Sequence, residues 1–170
     1  MKIRTILWMC LILGGCAANS PPKLVRSTDP YTNERSYAFG PLPASTCPNA
    51  SYDDNFVNIS FVGVGKQNTM SLFFYSHDWA FLNPKLPLDV LVDGEHLQLF
   101  AIDGTSRRVS GGTGMVEESL YYPVKKNIVE KMAAAKMVQF RAMGTEKSIE
   151  KCLTADSLSK IKIVAPLVPW

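Results

Sequence analysis

The chain reads as an α+β fold that is mainly β: an antiparallel sheet or sandwich, one amphipathic helix and a short C-terminal helix. Three observations predict this. Short runs rich in Val, Ile, Phe and Tyr alternate apolar with polar residues, the period of a half-buried strand. Turn formers separate these runs about every eight to twelve residues. Between Pro123 and Ala135 the apolar spacing changes to three or four, the period of a helix with one buried face.

Taken in order, Lys23–Thr28 and Glu34–Phe39 flank Asp29-Pro30-Tyr31-Thr32-Asn33, a run of turn formers, and predict a hairpin. Gly40–Tyr52, with its prolines, reads as a loop. Phe56–Val64 alternates as a strand, Gly65–Asn68 turns the chain, and Thr69–Tyr75 returns it. The adjacent Phe73, Phe74 and Tyr75 must place aromatics on both faces, and the helix is expected to cover the second. Asp78–Leu82 is expected to form another strand. Leu88–Val92 and Glu95–Ala101 flank Asp93-Gly94, the strongest hairpin signal in the chain. Asp103-Gly104 repeats that device, with Arg107–Ser110 as the returning strand. Gly111–Gly114 is a flexible connection, and Met115–Tyr122 a further strand.

Pro123 is expected to open the helix, since proline suits a first helical turn. Val124, Ile128, Met132 and Ala135 form its apolar stripe. Met137–Met143 alternates again, with Val138, Phe140 and Ala142 inward and Gln139 and Arg141 outward. Gly144 turns the chain into Ser148–Leu153. Thr154 is the expected N-cap of the last helix, from Ala155 to about Ile163, with Leu158, Ile161 and Ile163 on its buried side.

The start of the chain has a different character. Lys2 and Arg4 precede the apolar run Ile6–Leu13, about half the length of a membrane-crossing helix. Small residues follow, ahead of a cut: the pattern of an export signal. Leu13-Gly14-Gly15-Cys16 resembles the lipobox of bacterial lipoproteins. That resemblance implies removal of residues 1–15, lipidation of Cys16 and a membrane anchor of several acyl chains, each buried CH₂ adding about 0.8 kcal/mol. Ala17 and Ala18 follow, with no Asp at the second position. In the resembled family this implies sorting to the cell outer membrane, with the domain facing the periplasm. The alternative is an ordinary signal cut after Ala17 or Ala18. Residues 16–22 make a short tether, in which Pro21-Pro22 resists regular structure. Residues 23–170 then form one β-rich domain.

Composition narrows the rest. Without residues 1–15 the chain keeps 155 residues, with 16 basic against 15 acidic side chains, a net of +1. That balance carries no electrostatic footprint for nucleic acid, and none is expected as a partner. Of four cysteines, Cys10 leaves with the signal and Cys16 carries lipid. Cys47 and Cys152 remain, and an oxidising compartment favours their pairing. Closing so long a loop is worth about 4–5 kcal/mol at most. The other reading is two buried free thiols.

The order of features from Leu24 onward also resembles a family of small exported bacterial proteins. The shared course includes the Ser-Thr-Asp-Pro-Tyr turn, Asp78-Trp79-Ala80-Phe81, Val92-Asp93-Gly94-Glu95, an acidic strand near Glu117, the helix ending at Ala133-Ala134-Ala135, and Val138–Gly144. This resemblance implies architecture and no reaction.

Chemistry-bearing residues are sparse. His77-Asp78 and Glu95-His96 are the two histidines, each beside a carboxylate. Brought together they make a ligand set for Zn²⁺ or another divalent ion, and the basis of a periplasmic metal-dependent or hydrolytic enzyme. Neighbours on a strand face opposite ways, so each pair offers one side chain to a shared site. The plainer expectation is separate, solvated sites. No GxSxG elbow or phosphate loop occurs, and Gly111-Gly112-Thr113-Gly114 lacks the ending a phosphate loop needs. Glu117-Glu118 reads as a solvated strand edge, and Arg141 as a partner for a carboxylate on the next strand. The expectation is therefore a non-enzymatic lipoprotein without cofactor or metal, held at the membrane by its lipid and meeting another envelope protein.

Overall fold

A computed structural model describes residues 23–48, 50, 55–102, 104–109 and 114–168. The signal, Cys16 and the tether lie outside the described residues, as do Asp103 and positions 110–113.

Among the described residues the chain is mainly β, with two α-helices. Ten strands join one antiparallel sheet: β1 (Leu24–Thr28), β2 (Arg35–Ser45), β3 (Phe56–Val64), β4 (Gln67–Ser76), β5 (Leu88–Val92), β6 (Glu95–Leu99), β7 (Ser106–Val109), β8 (Val116–Pro123), β9 (Val138–Met143) and β10 (Ser148–Leu153). Their order is β6-β5-β9-β10-β2-β3-β4-β8-β7, with β1 also on β2. Helix α1 (Lys126–Ala134) lies between β8 and β9, and α2 (Ala155–Val164) follows β10, ending in a 3₁₀ turn at Ala165–Leu167.

Alternation puts one face of the sheet in the core. Val57, Ile59 and Phe61 of β3, Met70, Leu72 and Phe74 of β4, and Leu120 and Tyr122 of β8 are all buried. They share one apolar cluster with Val138 and Phe140 of β9, Val129 and Met132 of α1, and Ile161 and Val164 of α2. The N-cap of α2 is as expected: the Thr154 hydroxyl accepts from the Ser157 N–H at 3.1 Å. The hairpin turns are as expected too. Asp29 accepts from the N–H groups of Tyr31 and Thr32 at 2.7 and 3.0 Å, and β5 and β6 pair through Asp93-Gly94.

Five expectations are corrected. First, Gly40–Tyr52 is not a loop throughout, because β2 continues to Ser45. Pro43 pairs in register with Asn58, and Pro41 before it sits at an irregularity where the register shifts between Phe39 and Leu42. Gly40 is needed there: its φ is +135°, and a Cβ would press on Ser60. Second, Asp103-Gly104 does not join a hairpin. β6 lies at one end of the sheet and β7 at the other, where β7 pairs with β8. Third, Asp78–Leu82 is not a strand; Leu82 makes one isolated bridge, to Gly144. Fourth, Pro123 ends β8 and the helix begins at Lys126, so Val124 is buried ahead of the helix. Val129 supplies the apolar contact that the expected stripe omitted. Ile163 of α2 is likewise exposed, and Val164 is buried in its place. Fifth, α1 joins the core with Phe74. The outer face of β4 is screened by Phe73 set edge-on to Tyr121 and by the Arg108–Glu117 pair beside Tyr75.

The sheet has one weak seam. Between β10 and β2 the register holds two pairs, Cys152 with Ser45 and Leu153 with Ala44. Cys47 lies just past that seam and sits at disulfide distance from Cys152, with 4.9 Å between their Cα atoms. The pair thus joins the two halves of the sheet where backbone pairing is sparsest.

Candidate functional site

Strand β8 carries Val116, Glu118, Leu120 and Tyr122 on its core face and Glu117, Ser119 and Tyr121 on the other. A carboxylate in that inward row has to be satisfied or the fold fails, since an unpaired buried charge is costly. Glu118 is 0% exposed. Its Oε1 accepts from the N–H groups of Ala80 and Phe81 at 2.7 and 3.0 Å, and its Oε2 from the N–H of Leu82 at 2.8 Å. Arg107 of β7 adds Nε at 3.2 Å, and its Nη2 donates to the Leu82 carbonyl at 3.0 Å. The Thr105 hydroxyl donates to that carbonyl as well. Glu117 pairs with Arg108 at 2.7 Å. The expected solvated acidic edge is therefore overturned. Both glutamates are buried on an interior strand, and the true edge, β7, presents their arginine partners. Charge on that edge discourages pairing with another sheet.

Three consecutive N–H groups aimed at one carboxylate cannot belong to an extended strand, whose amides alternate in direction. The backbone bends instead, and Phe81 takes φ +51°. That conformation is disfavoured by roughly 1–2 kcal/mol for an L-residue with a side chain. Charge-assisted hydrogen bonds to Glu118, at about 1.5–3 kcal/mol each, outweigh it. The bend sends the Phe81 ring outward, 41% exposed. It lies 6.0 Å from the half-buried Trp79 ring and has the Arg107 guanidinium 5.6 Å from its centroid. A rigid corner of two aromatics and an arginine results. Aromatic and arginine side chains dominate binding energy where proteins meet.

The same segment ties distant parts of the sheet. Asn83 donates to the Met143 carbonyl and Thr145 to that of Phe81, across the turn after β9. Gly144 admits this contact because a Cβ there would strike the Ala80 carbonyl.

The histidines fall elsewhere. His96 of edge strand β6 is exposed, with Nε2 2.9 Å from Asp89 Oδ1. Gln98 donates to the same oxygen at 3.0 Å. The Gln98 hydrogen bond, followed by His96, holds the Asp89 carboxyl below its ordinary range, against the opposing effect of burial. Glu95 pairs instead with Lys131 of α1. His77 is exposed just beyond β4. Among the described residues no three His, Cys, Asp or Glu side chains are grouped to hold a metal ion, so His77, Asp78, Glu95 and His96 do not come together as a ligand set. Arg141 is as expected: it holds Glu150 of β10 through Nε and Nη2 at 2.9 and 2.7 Å, and Gln139 donates to the other oxygen. This outer face is a polar lattice across β6, β5, β9 and β10.

Sequence reasoning placed Trp79 and Phe81 on a strand and missed the corner. A signal was present. Glu118 shares parity with Val116, Leu120 and Tyr122, and an acid in an inward row needs donors from elsewhere in the fold. No protein family, curated protein or solved structure matches the chain.

Proposed function

We propose that the chain is an outer-membrane-anchored lipoprotein whose β-rich domain acts without catalysis, meeting a partner protein of the cell envelope through the Trp79–Phe81–Arg107 corner. The backbone of Phe81 is the observation that carries this reading. A large apolar side chain is held outward, at φ +51°, by a buried carboxylate. Local strain of this kind collects where a fold must present a group for use.

The location rests on other residues. Leu13-Gly14-Gly15-Cys16 supplies the site for lipid, and the Cys47–Cys152 pair suits a compartment where disulfides persist. Strands β6 and β7 close the sheet ends with polar and charged side chains, which leaves the corner as the better surface for a specific contact.

A photocrosslinking residue at position 81, with a second at Phe56 as an exposed control, tests the reading in intact cells of the host. The expected result is a discrete adduct from position 81 alone, lost in Trp79→Ala. Equal adducts from both positions, or none from 81, would sink it.

A further inference from the structure

The hairpin of β1 and β2 places two arginines on one face. Its register sets Arg26 opposite Tyr37 and Thr28 opposite Arg35, and directly opposed side chains share a face. Tyr37 is buried. Arg26, Thr28 and Arg35 therefore continue the core-side face of the hairpin outward to solvent. With Ser27 and Ser36 they line a cleft of about 710 Å³, and Leu167 from the 3₁₀ turn lines it too.

Both charged residues of this lining are arginines. Nη2 of Arg26 donates to the Leu167 carbonyl at 2.7 Å, which fixes that guanidinium at the wall. A guanidinium has five N–H donors, so others stay available. Among the described residues no carboxylate is in the cleft wall and neither arginine is in an ion pair. Elsewhere the fold matches its arginines to acids: Arg107 to Glu118, Arg108 to Glu117 and Arg141 to Glu150. Glu34 borders the cleft, its carboxylate lying over the lining residue Gly65.

We propose that this cleft binds a phosphate-class oxyanion between Arg26 and Arg35, with the hydroxyl of Thr28, on the same face, as a further donor. Planar guanidinium forks suit tetrahedral oxyanions. The anion comes either from a phospholipid headgroup or from free phosphate. The headgroup source rests on the lipid-anchor reading above. Eight steps separate Cys16 from Leu24 and ten from Arg26, and at ~3.3–3.6 Å per residue the chain keeps Arg26 within about 36 Å of the bilayer.

The test uses the full chain, isotope-labelled in zwitterionic detergent. Inorganic phosphate is titrated in one arm and short-chain phosphatidylglycerol in another, with phosphatidylcholine as control. Saturable resonance shifts confined to Arg26–Thr28 and Arg35–Tyr37 are expected. Arg35→Gln should weaken binding about tenfold, Arg35→Lys less, since it keeps the charge and loses the fork. Glu34→Gln should tighten it by removing a like charge from the ligand's approach. Saturation by phosphate supports a free-anion site, and saturation by phosphatidylglycerol alone supports a headgroup site. No saturation with either, or equal affinity in Arg35→Gln and Glu34→Gln, overturns the proposal. The phosphate arm gives the same result in Cys16→Ser, so failure of the anchor and failure of the cleft are separate outcomes.

Discussion

Glu118 shows how much one side chain can decide. It satisfies three backbone donors and Arg107 at once. Replacing it by Ala strands those groups in the interior, and the expected loss is about 3–5 kcal/mol, read as a lower urea midpoint. Phe81→Gly is predicted to behave differently. Glycine takes φ +51° without strain, while the contacts to Trp79 and Arg107 disappear, so the net change in stability stays within about 1 kcal/mol. Co-purification of the partner with the chain should nonetheless be lost, which separates presentation of the ring from folding. Asp89 gives a pH test. Its folded carboxyl lies below the ordinary range, so its contribution is complete above an unfolded pKa of about 3.9 and fades as pH falls through the lower folded value. The stability advantage of wild type over Asp89→Asn should shrink as pH falls below about 4 and be lost under stronger acid. Outward Arg141 and inward Phe140 were legible from strand parity alone. Phe81 was not, because its conformation is imposed by a residue thirty-seven positions away.

Strand β2 is the element on which the sheet turns. Its first half pairs with β1 and its second with β10, while β3 runs along the other side. The break at Gly40-Pro41 lets one strand serve two partners. Its prolines therefore read as a loop, although Pro43 faces Asn58 in register and lends its carbonyl to the Ser157 hydroxyl at 2.8 Å. The Cys47–Cys152 pair closes 105 residues at this seam. Replacing both cysteines by Ala should lower stability by up to about 4–5 kcal/mol. Amide exchange should rise first at Leu153 and Ala44, ahead of β3 and β4. Uniform exchange across the sheet would count against the seam. Hairpins such as β5–β6 were legible because a two-residue turn decides them locally. The failure of Asp103-Gly104 has the complementary cause. Strand β7 is drawn to β8 by Arg107 and Arg108, whose partners Glu118 and Glu117 lie across the register, and local turn chemistry says nothing of that pull.

At the scale of the whole molecule, the anchor proposed at Cys16 is tested directly. Cys16→Ser should abolish labelling by radioactive palmitate and leave unprocessed chain, measured by mass analysis of protein from the host. Unchanged processing and membrane retention would remove the anchor from the reading. The sequence by itself determined the class of fold, most strand positions, the cap of the last helix and the pairing expected of two cysteines. Each follows from period, parity or neighbours close in the chain. Tertiary structure alone decided the order of the strands, the burial of Glu117 and Glu118, the separation of the histidines and the outward ring of Phe81. These depend on which distant residue meets a buried charge, and a desolvated carboxylate accepts donors wherever the fold can bring them.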